Sequence, residues 1–505
     1  MLSMNSSQSK YDRKMRRAKS HAEWLEAAHE HDTATGRDKW RQEQQSSKYD
    51  YLNIQSRVDE LRKLRANHDD VGLLYALNQG IHGNQGGMGN SALYNQSMVG
   101  TKKLIEAYVD EIVDALQHIS ELPESDKITL EDKIDFFHRA NLCFGSSALM
   151  LSGAGSLGHF HHGVVKALLQ HDLLPDIISG SSAGSIFAAV LGTHTNAELE
   201  VVLIGNNMLD PFDDDLEKRP WGKVRPQMDA DTLRLMLEST IPDMTFQEAY
   251  EKTGRSISVT IAPMEEHQSS RLMNAITSPN VYIRTAVLAS CAVPGVFPPV
   301  MLMAKNVYGE PQPYLPNRRW VDGAVTDDLP AKRLARLYGV NHYIVSQANP
   351  LALAMMSTAK FVPMPDLTKS ILRHTTHEIL RASEKFSRRY LRQVPSIGQG
   401  MSMFYSVMAQ NYEGDINIVP SFNYVDPQKL LARLNAKEIE DLILEGERGT
   451  WPQLERIKIC TKIGRTLSRI LDHHAEHNIK SFYKKRNAGK RRPAPTAQPT
   501  ASQEE

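Results

Sequence analysis

The chain has 505 residues and an apolar share of 41%, enough to bury a sizeable core in two to four structural units. Lys+Arg and Asp+Glu balance at 59 each, which excludes a bulk charge that would draw the whole molecule to nucleic acid or membrane and leaves only local patches. Cys143, Cys291 and Cys460 are sparse and odd in number, so they make no disulfide framework and no metal-binding spacing, which fits a reducing compartment.

Residues 1–20 form a polar, basic arm without the apolar stretch of a secretory signal. Residues 21–140 read as a helical domain. Its clearest helix carries Leu104, Ile105, Tyr108, Val109, Ile112, Val113 and Leu116, a wide apolar stripe at helical period that must pack on something. A glycine-rich loop, Gly80 to Gly89, precedes it.

Over residues 147–340 the pattern alternates between strands and helices. Strands are predicted at Ala148–Leu151, Asp176–Ile178, Ser256–Ala262, Arg319–Val321 and Tyr343–Val345, and helices at Val164–Leu174 and Ser182–Leu191. Such alternation argues for an α/β domain on a mainly parallel sheet. The uncharged stretch Ala286–Ala304 holds Pro294, Gly295, Pro298 and Pro299, which would break a membrane-spanning helix, so it reads as buried loop and strand.

Residues 341–480 read as mainly helical again. Within them, 367–392 has the pattern of a basic amphipathic helix: Ile371, Leu372, Ile379, Leu380, Phe386 and Tyr390 fall on one half of the wheel, among Lys369, Arg373, Arg381, Lys385, Arg388, Arg389 and Arg392. Met401, Met403, Phe404, Tyr405 and Met408 could extend an interfacial contact; the plainer reading is a core-packed helix with a solvated basic face. Residues 481–505 run from a basic cluster into Pro, Ala, Thr, Ser and Gln, a disordered tail by composition.

Three motifs carry candidate chemistry. Gly180-Ser181-Ser182-Ala183-Gly184 is a G-x-S-x-G sequence between an apolar strand and a small-residue helix, the context of a nucleophile elbow. Gly180 and Gly184 would let the backbone close around Ser182; the plain alternative is a glycine-rich turn. Gly153-Ala154-Gly155-Ser156-Leu157-Gly158 also joins a strand to a helix. A dinucleotide site would need Asp172 or Asp176 at the end of the second strand, about 20 residues on. Asp176 opens that strand, which favours an oxyanion loop of backbone N–H groups. Asp322-Gly323-Ala324 ends an apolar strand, and alone it is a turn aspartate as readily as a functional one.

Together, in this order, the three motifs resemble the patatin-like phospholipase family. The flanks LSGAGSLGHFHHGVVKALL, LPDIISGSSAGSIFAA, ASCAVPGVFPPV and VDGAVTDDLP are similar to it too, and within it to the storage-triacylglycerol lipases of yeast and plants and their bacterial relatives. The likeness runs from about His21 to Ala475 and includes the helical region ahead of the motifs. It implies a patatin-like three-layer domain with a mainly parallel sheet, plus helical N- and C-terminal regions. It also implies a Ser–Asp dyad without a catalytic histidine: Ser182 attacks the ester, Asp322 takes its proton, and the Gly153–Gly158 loop holds the oxyanion. His159, His161 and His162 lie beside that loop and would then support the helix. Ala154 departs from the family's three glycines and cannot take positive φ cheaply.

The expected function is hydrolysis of glycerolipid carboxylic esters, triacylglycerol first, with phospholipase A or lysophospholipase activity as alternatives. No cofactor or metal motif is present; calcium is not called for. The expected partners are a lipid substrate and a membrane or lipid-droplet surface, met peripherally from the cytoplasm, and not nucleic acid. His171 to Asp176 fits the H-x-x-x-x-D pattern of glycerolipid acyltransferases, but so loose a pattern arises by chance. A non-catalytic lipid-binding protein on the same fold would be expected to have lost Ser182, Asp322 or the glycine loop.

Overall fold

A computed structural model of the chain describes residues 2–204, 229–265, 268–350, 352–353, 414–420 and 433–488. The basic amphipathic segment 367–392, the residues from Met401 to Met408 and the tail from 489 onward lie outside the described residues. The chain divides into two compact units. One gathers Met1–Tyr49, Gly87–Lys103 and Gly145–Thr461, and the other Asp50–Gly86, Leu104–Phe144 and Lys462–Glu505.

The first unit is built on a sheet of β1 (Ser146–Leu151), β2 (Ile177–Gly180), β3 (Ser256–Pro263), β4 (Arg271–Asn274), β7 (Trp320–Asp322), β8 (Val340–Ser346) and β9 (Ile416–Ile418), while β5 (Met303–Lys305) and β6 (Pro311–Pro313) form a separate hairpin. The order is β4-β3-β2-β1-β8-β9, with β7 paired to β3. The β1, β2, β3, β8 and β9 pairings are parallel, and β4 and β7 join β3 antiparallel. This is the mainly parallel α/β architecture that the alternating pattern predicts.

Helices cover both faces, which is why the strands read as continuous apolar runs. In β1, Leu149 and Leu151 enter one core and Ala148 and Met150 the other. The first core is closed by α1 (His159–Gln170), α2 (Ala183–Thr193) and α3 (Ile283–Ser290), with Met15, Ala18, Trp24, Ala27 and Ala28 of the N-terminal segment. The second is closed by α4 (Ala331–Tyr338) through Leu334. A further helix, α5 (Ala436–Thr450), lies on α1 at backbone contact: a Cβ on Gly163 would sit 1.8 Å from the Ile443 carbonyl oxygen. No side chain fits there without separating the two helices.

One expectation needs correction. The uncharged stretch from Ala286 opens in α3, not in loop. Ile283, Ala286, Val287 and Ala289 recur at helical spacing and are buried, and the helix stops before Pro294.

The second unit is helical: Tyr51–Ala66, Asp70–Asn78, Lys103–Glu121, Leu130–Phe144 and the later part of Leu454–Ala488. All seven apolar residues of the predicted stripe on Lys103–Glu121 are buried. The last helix reaches past residue 481 into the expected tail, because no proline or glycine falls between Ser481 and Ala488. Among the described residues no helix is long and apolar enough to cross a membrane.

Candidate active site

The strand pairing of β3 brings two distant segments together. Along one edge β3 carries β4, with Val259 opposite Met273 and Ile261 opposite Arg271. Its other edge is shared by two strands of opposite sense. β2 ends with Gly180 opposite Val259, and β7 ends with Asp322 opposite Ile261. Only Thr260 separates the two pairings, so β2 and β7 end face to face. Ser182 follows the one end and Asp322 closes the other.

Ser182 adopts φ 50°, ψ −127°. Such backbone costs a non-glycine residue about 1–3 kcal/mol and persists only where the surroundings enforce it. Two hydrogen bonds do so: the Ser182 N–H donates to Ser290 Oγ at 2.8 Å, and that hydroxyl donates to the Thr260 carbonyl at 2.8 Å. The turn closes only without side chains on either side. A Cβ on Gly180 would lie 2.3 Å from the Gly184 carbonyl oxygen, and one on Gly184 2.4 Å from that of Leu151.

Asp322 is only 3% exposed. Its N–H donates to the Ala292 carbonyl at 2.9 Å, and its Oδ1 accepts the Ala324 N–H at 2.8 Å. Burial pushes its carboxyl up to about 7, against the opposing pull of the Ala324 amide and of the Ser182 hydroxyl nearby. Gly323 fits beneath it because a Cβ there would lie 2.6 Å from the Thr260 backbone. The neighbouring Cys291 thiol is pushed up by burial, then by the Asp322 charge, so it stays protonated and is no competing nucleophile.

The predicted oxyanion loop lies against this pair. Gly153 is so close to Ser182 that a Cβ on it would stand 3.5 Å from the Ser182 Cβ. Ala154 has φ −144°, and the positive φ of the loop, 54°, falls on Gly155. Alanine in place of a glycine therefore meets no positive-φ penalty. Ser156, Leu157 and Gly158 complete a 3-10 turn leading into α1. One part of the loop expectation narrows: the Gly153 N–H donates to Asp328 Oδ1 at 2.7 Å and is not offered to a ligand. The next amides, of Ala154 and Gly155, remain as candidate oxyanion donors.

Two of the three neighbouring histidines are engaged elsewhere. His161 bonds Ser346 Oγ at 2.7 Å and the Ser152 carbonyl at 2.9 Å, and His162 bonds the Leu203 carbonyl at 2.8 Å. Burial lowers His159, His161 and His162 to about 4, so all three are neutral near pH 7. His171 lies at the end of α1, its ring edge-on to His21 at 4.5 Å. Asp176 precedes β2, whereas Ser182 follows it, so the acyltransferase-like pattern sits at the far end of the strand from the serine. Among the described residues no cluster of three His, Cys, Asp or Glu side chains is gathered for a metal.

Sequence reading missed two residues here. Ser290 and Asp328 lie inside the quoted flanks ASCAVPG and VDGAVTDDLP, but only the tertiary fold aims one at the Ser182 amide and the other at Gly153.

Residues 149–335 match the model described as patatin-like phospholipase, and residues 1–142 that of a domain of unknown function, DUF3336. Triacylglycerol lipase ptl3 of Schizosaccharomyces pombe is 33% identical over 87% of this chain and 92% of that protein. The chain belongs to the patatin-like phospholipase family. Triacylglycerol lipase SDP1L of Arabidopsis thaliana is 33% identical over 88% of this chain and 56% of that protein. A patatin-like phospholipase domain-containing protein of Cryptococcus neoformans is 32% identical over 91% of this chain and 54% of that protein. The chain thus spans about half the length of these two relatives.

Proposed function

We propose that this protein is a serine hydrolase of glycerolipid carboxylic esters. The reading rests on one observation: a strained serine and a buried aspartate whose affinity for protons is raised meet at the facing ends of β2 and β7. Ser182 Oγ attacks the ester carbonyl as its proton passes to Asp322. Asp322 then gives that proton to the leaving alcohol, and an acyl-Ser182 remains. Water attacks the acyl group as Asp322 takes its proton, Asp322 returns that proton to Ser182 Oγ as the acyl–oxygen bond breaks, and the free acid leaves. The Ala154 and Gly155 amides would hold the oxyanion in both steps.

Two relatives carry the name triacylglycerol lipase, which favours a neutral glycerolipid over a phospholipid. The experiment is fluorophosphonate labelling with hydrolysis of a panel of labelled glycerolipids. Ser182→Ala should lose both, and Ser181→Ala and Ser185→Ala should keep labelling. Full-rate labelling of the Ser182 variant would refute the assignment.

The substrate is insoluble, so the enzyme must reach it at a surface. We place that contact at a cytoplasmic membrane or lipid-droplet face, through the basic amphipathic pattern of 367–392. Changing Arg381, Arg388 and Arg389 to glutamate should weaken binding to anionic vesicles, as should high salt. Unchanged binding would locate the contact elsewhere.

A further inference from the structure

Asp328 is a second buried carboxylate beside Asp322, with 1% exposure. One short turn, Ala324–Asp327, joins the two. The mechanism above does not use Asp328, yet it touches every segment that the mechanism needs. Its Oδ1 accepts the Gly153 N–H at 2.7 Å. Its Oδ2 accepts Asn349 Nδ2 at 3.0 Å, from the chain just past β8. Its carbonyl oxygen accepts the Ser181 hydroxyl at 3.0 Å. The ends of β1, β2 and β8 are thereby tied to the segment that follows β7.

We propose that Asp328 is the positioning residue of the oxyanion loop: its carboxylate fixes Gly153, the first peptide of that loop. The inference rests on the hydrolase reading of the same site. Gly153 carries no side chain to anchor it, and its peptide is the first of the loop. A donor turned toward Asp328 sets where the following Ala154 and Gly155 amides point. Oxyanion donors act only if they are held in place before the charge develops, since reorienting them during the reaction forfeits their advantage. Removing an oxyanion donor costs about 10²–10³ in turnover. Loosening the loop that carries the donors should cost part of that, with little effect on substrate affinity.

The pairing allows a reciprocal test. Asp328→Asn can still accept from Gly153, but its amide N–H₂ then faces the N–H₂ of Asn349, donor against donor. Asn349→Asp in the same chain restores an acceptor opposite that donor. With p-nitrophenyl butyrate as the ester, D328N should lower kcat at least about tenfold and leave KM within about twofold. The double variant D328N/N349D should recover to within about threefold of wild type. Wild-type kcat in D328N would overturn the proposal, as would a loss that the double variant does not recover. Should D328N not fold, Asn349→Ala removes a hydrogen-bond donor to the carboxylate and should still lower kcat with KM kept; an unchanged kcat there overturns the proposal equally. Ser182→Ala, run alongside, separates the two failures. Hydrolysis that survives S182A refutes the hydrolase reading itself, whereas S182A-sensitive hydrolysis with an undisturbed D328N refutes the positioning role alone.

Discussion

Two buried acids in the two units of this protein are used in opposite ways. Glu111, in the helical unit, is 4% exposed and Asp322, in the sheet unit, 3%. Glu111 is answered by cations: Arg62 Nε lies 3.0 Å from one oxygen and Arg65 Nη2 2.9 Å from the other. Asp322 accepts from the Ala324 amide and lies beside Ser182, neither of which neutralises a charge. A paired buried charge serves the architecture. An unneutralised one beside a strained serine fits the proposed proton acceptor, since such groups mark functional sites.

The largest effect expected from this contrast belongs to Asp322→Asn. It keeps the shape and removes the proposed proton acceptor of both half-reactions, so turnover should fall by several orders of magnitude. Wild-type activity should rise with pH through about 7 and level off above it, because the base works only when ionised. Asp328 is also pushed up to about 7, by burial first, so the limb reports the two carboxyls together. Stability should move the other way. The ordinary aspartate value is about 4. Between about 4 and 7 the native state therefore holds protons that the unfolded chain releases, and stability falls as pH rises through that window. D322N removes this cost and should melt above wild type at pH 8. A variant that is both active and no more stable would show that Asp322 is an ordinary structural acid.

A smaller loss is expected from Ser290→Ala. It removes the hydroxyl that accepts the Ser182 N–H and donates to Thr260. The strained turn then has one restraint fewer, and kcat should drop about tenfold to a hundredfold with KM little changed. Ser290→Thr keeps the hydroxyl and should retain most activity. If alanine and wild type label equally fast with fluorophosphonate, the elbow is held by its glycines alone.

The sequence carries the contrast unevenly. Strand–helix alternation, the G-x-S-x-G after β2 and the Asp-Gly-Ala after β7 are local patterns, and each lands within a residue or two of its structural place. The stripe on Lys103–Glu121 is legible for the same reason: helical period maps directly onto a buried face. What the sequence does not carry is register. That β2 and β7 share one edge of β3, with Thr260 between their ends, follows from pairings across gaps of roughly 60 to 80 residues. The roles of Ser290 and Asp328 depend on that register, so no local pattern announces them. Glu111 is hidden for a related reason: an acid inside an apolar stripe reads as solvent-facing until Arg62 and Arg65 of another helix are placed opposite it.

The smallest effect on activity is expected where the comparison puts architecture alone. Glu111→Gln removes the negative charge and leaves Arg62 and Arg65 beside a neutral amide. Breaking a fully buried pair costs about 3–5 kcal/mol because the surviving charge is stranded. Here the survivors are not stranded: the Arg62 and Arg65 side chains are 54% and 32% exposed, and Arg65 Nη1 also lies 3.2 Å from Asp114. Water and Asp114 can take up much of what Glu111 gave. The loss should then be about 1–2 kcal/mol, between the buried and surface cases. It should be read as a lower urea midpoint for the helical unit, since two units need not unfold in one step. Ester hydrolysis should stay within about twofold of wild type, with the pH limb unmoved, because no group at Ser182 has been altered. A fall in kcat comparable to that of D322N would mean that the helical unit takes part in the chemistry, and the division between an architectural acid and a reactive one would not hold.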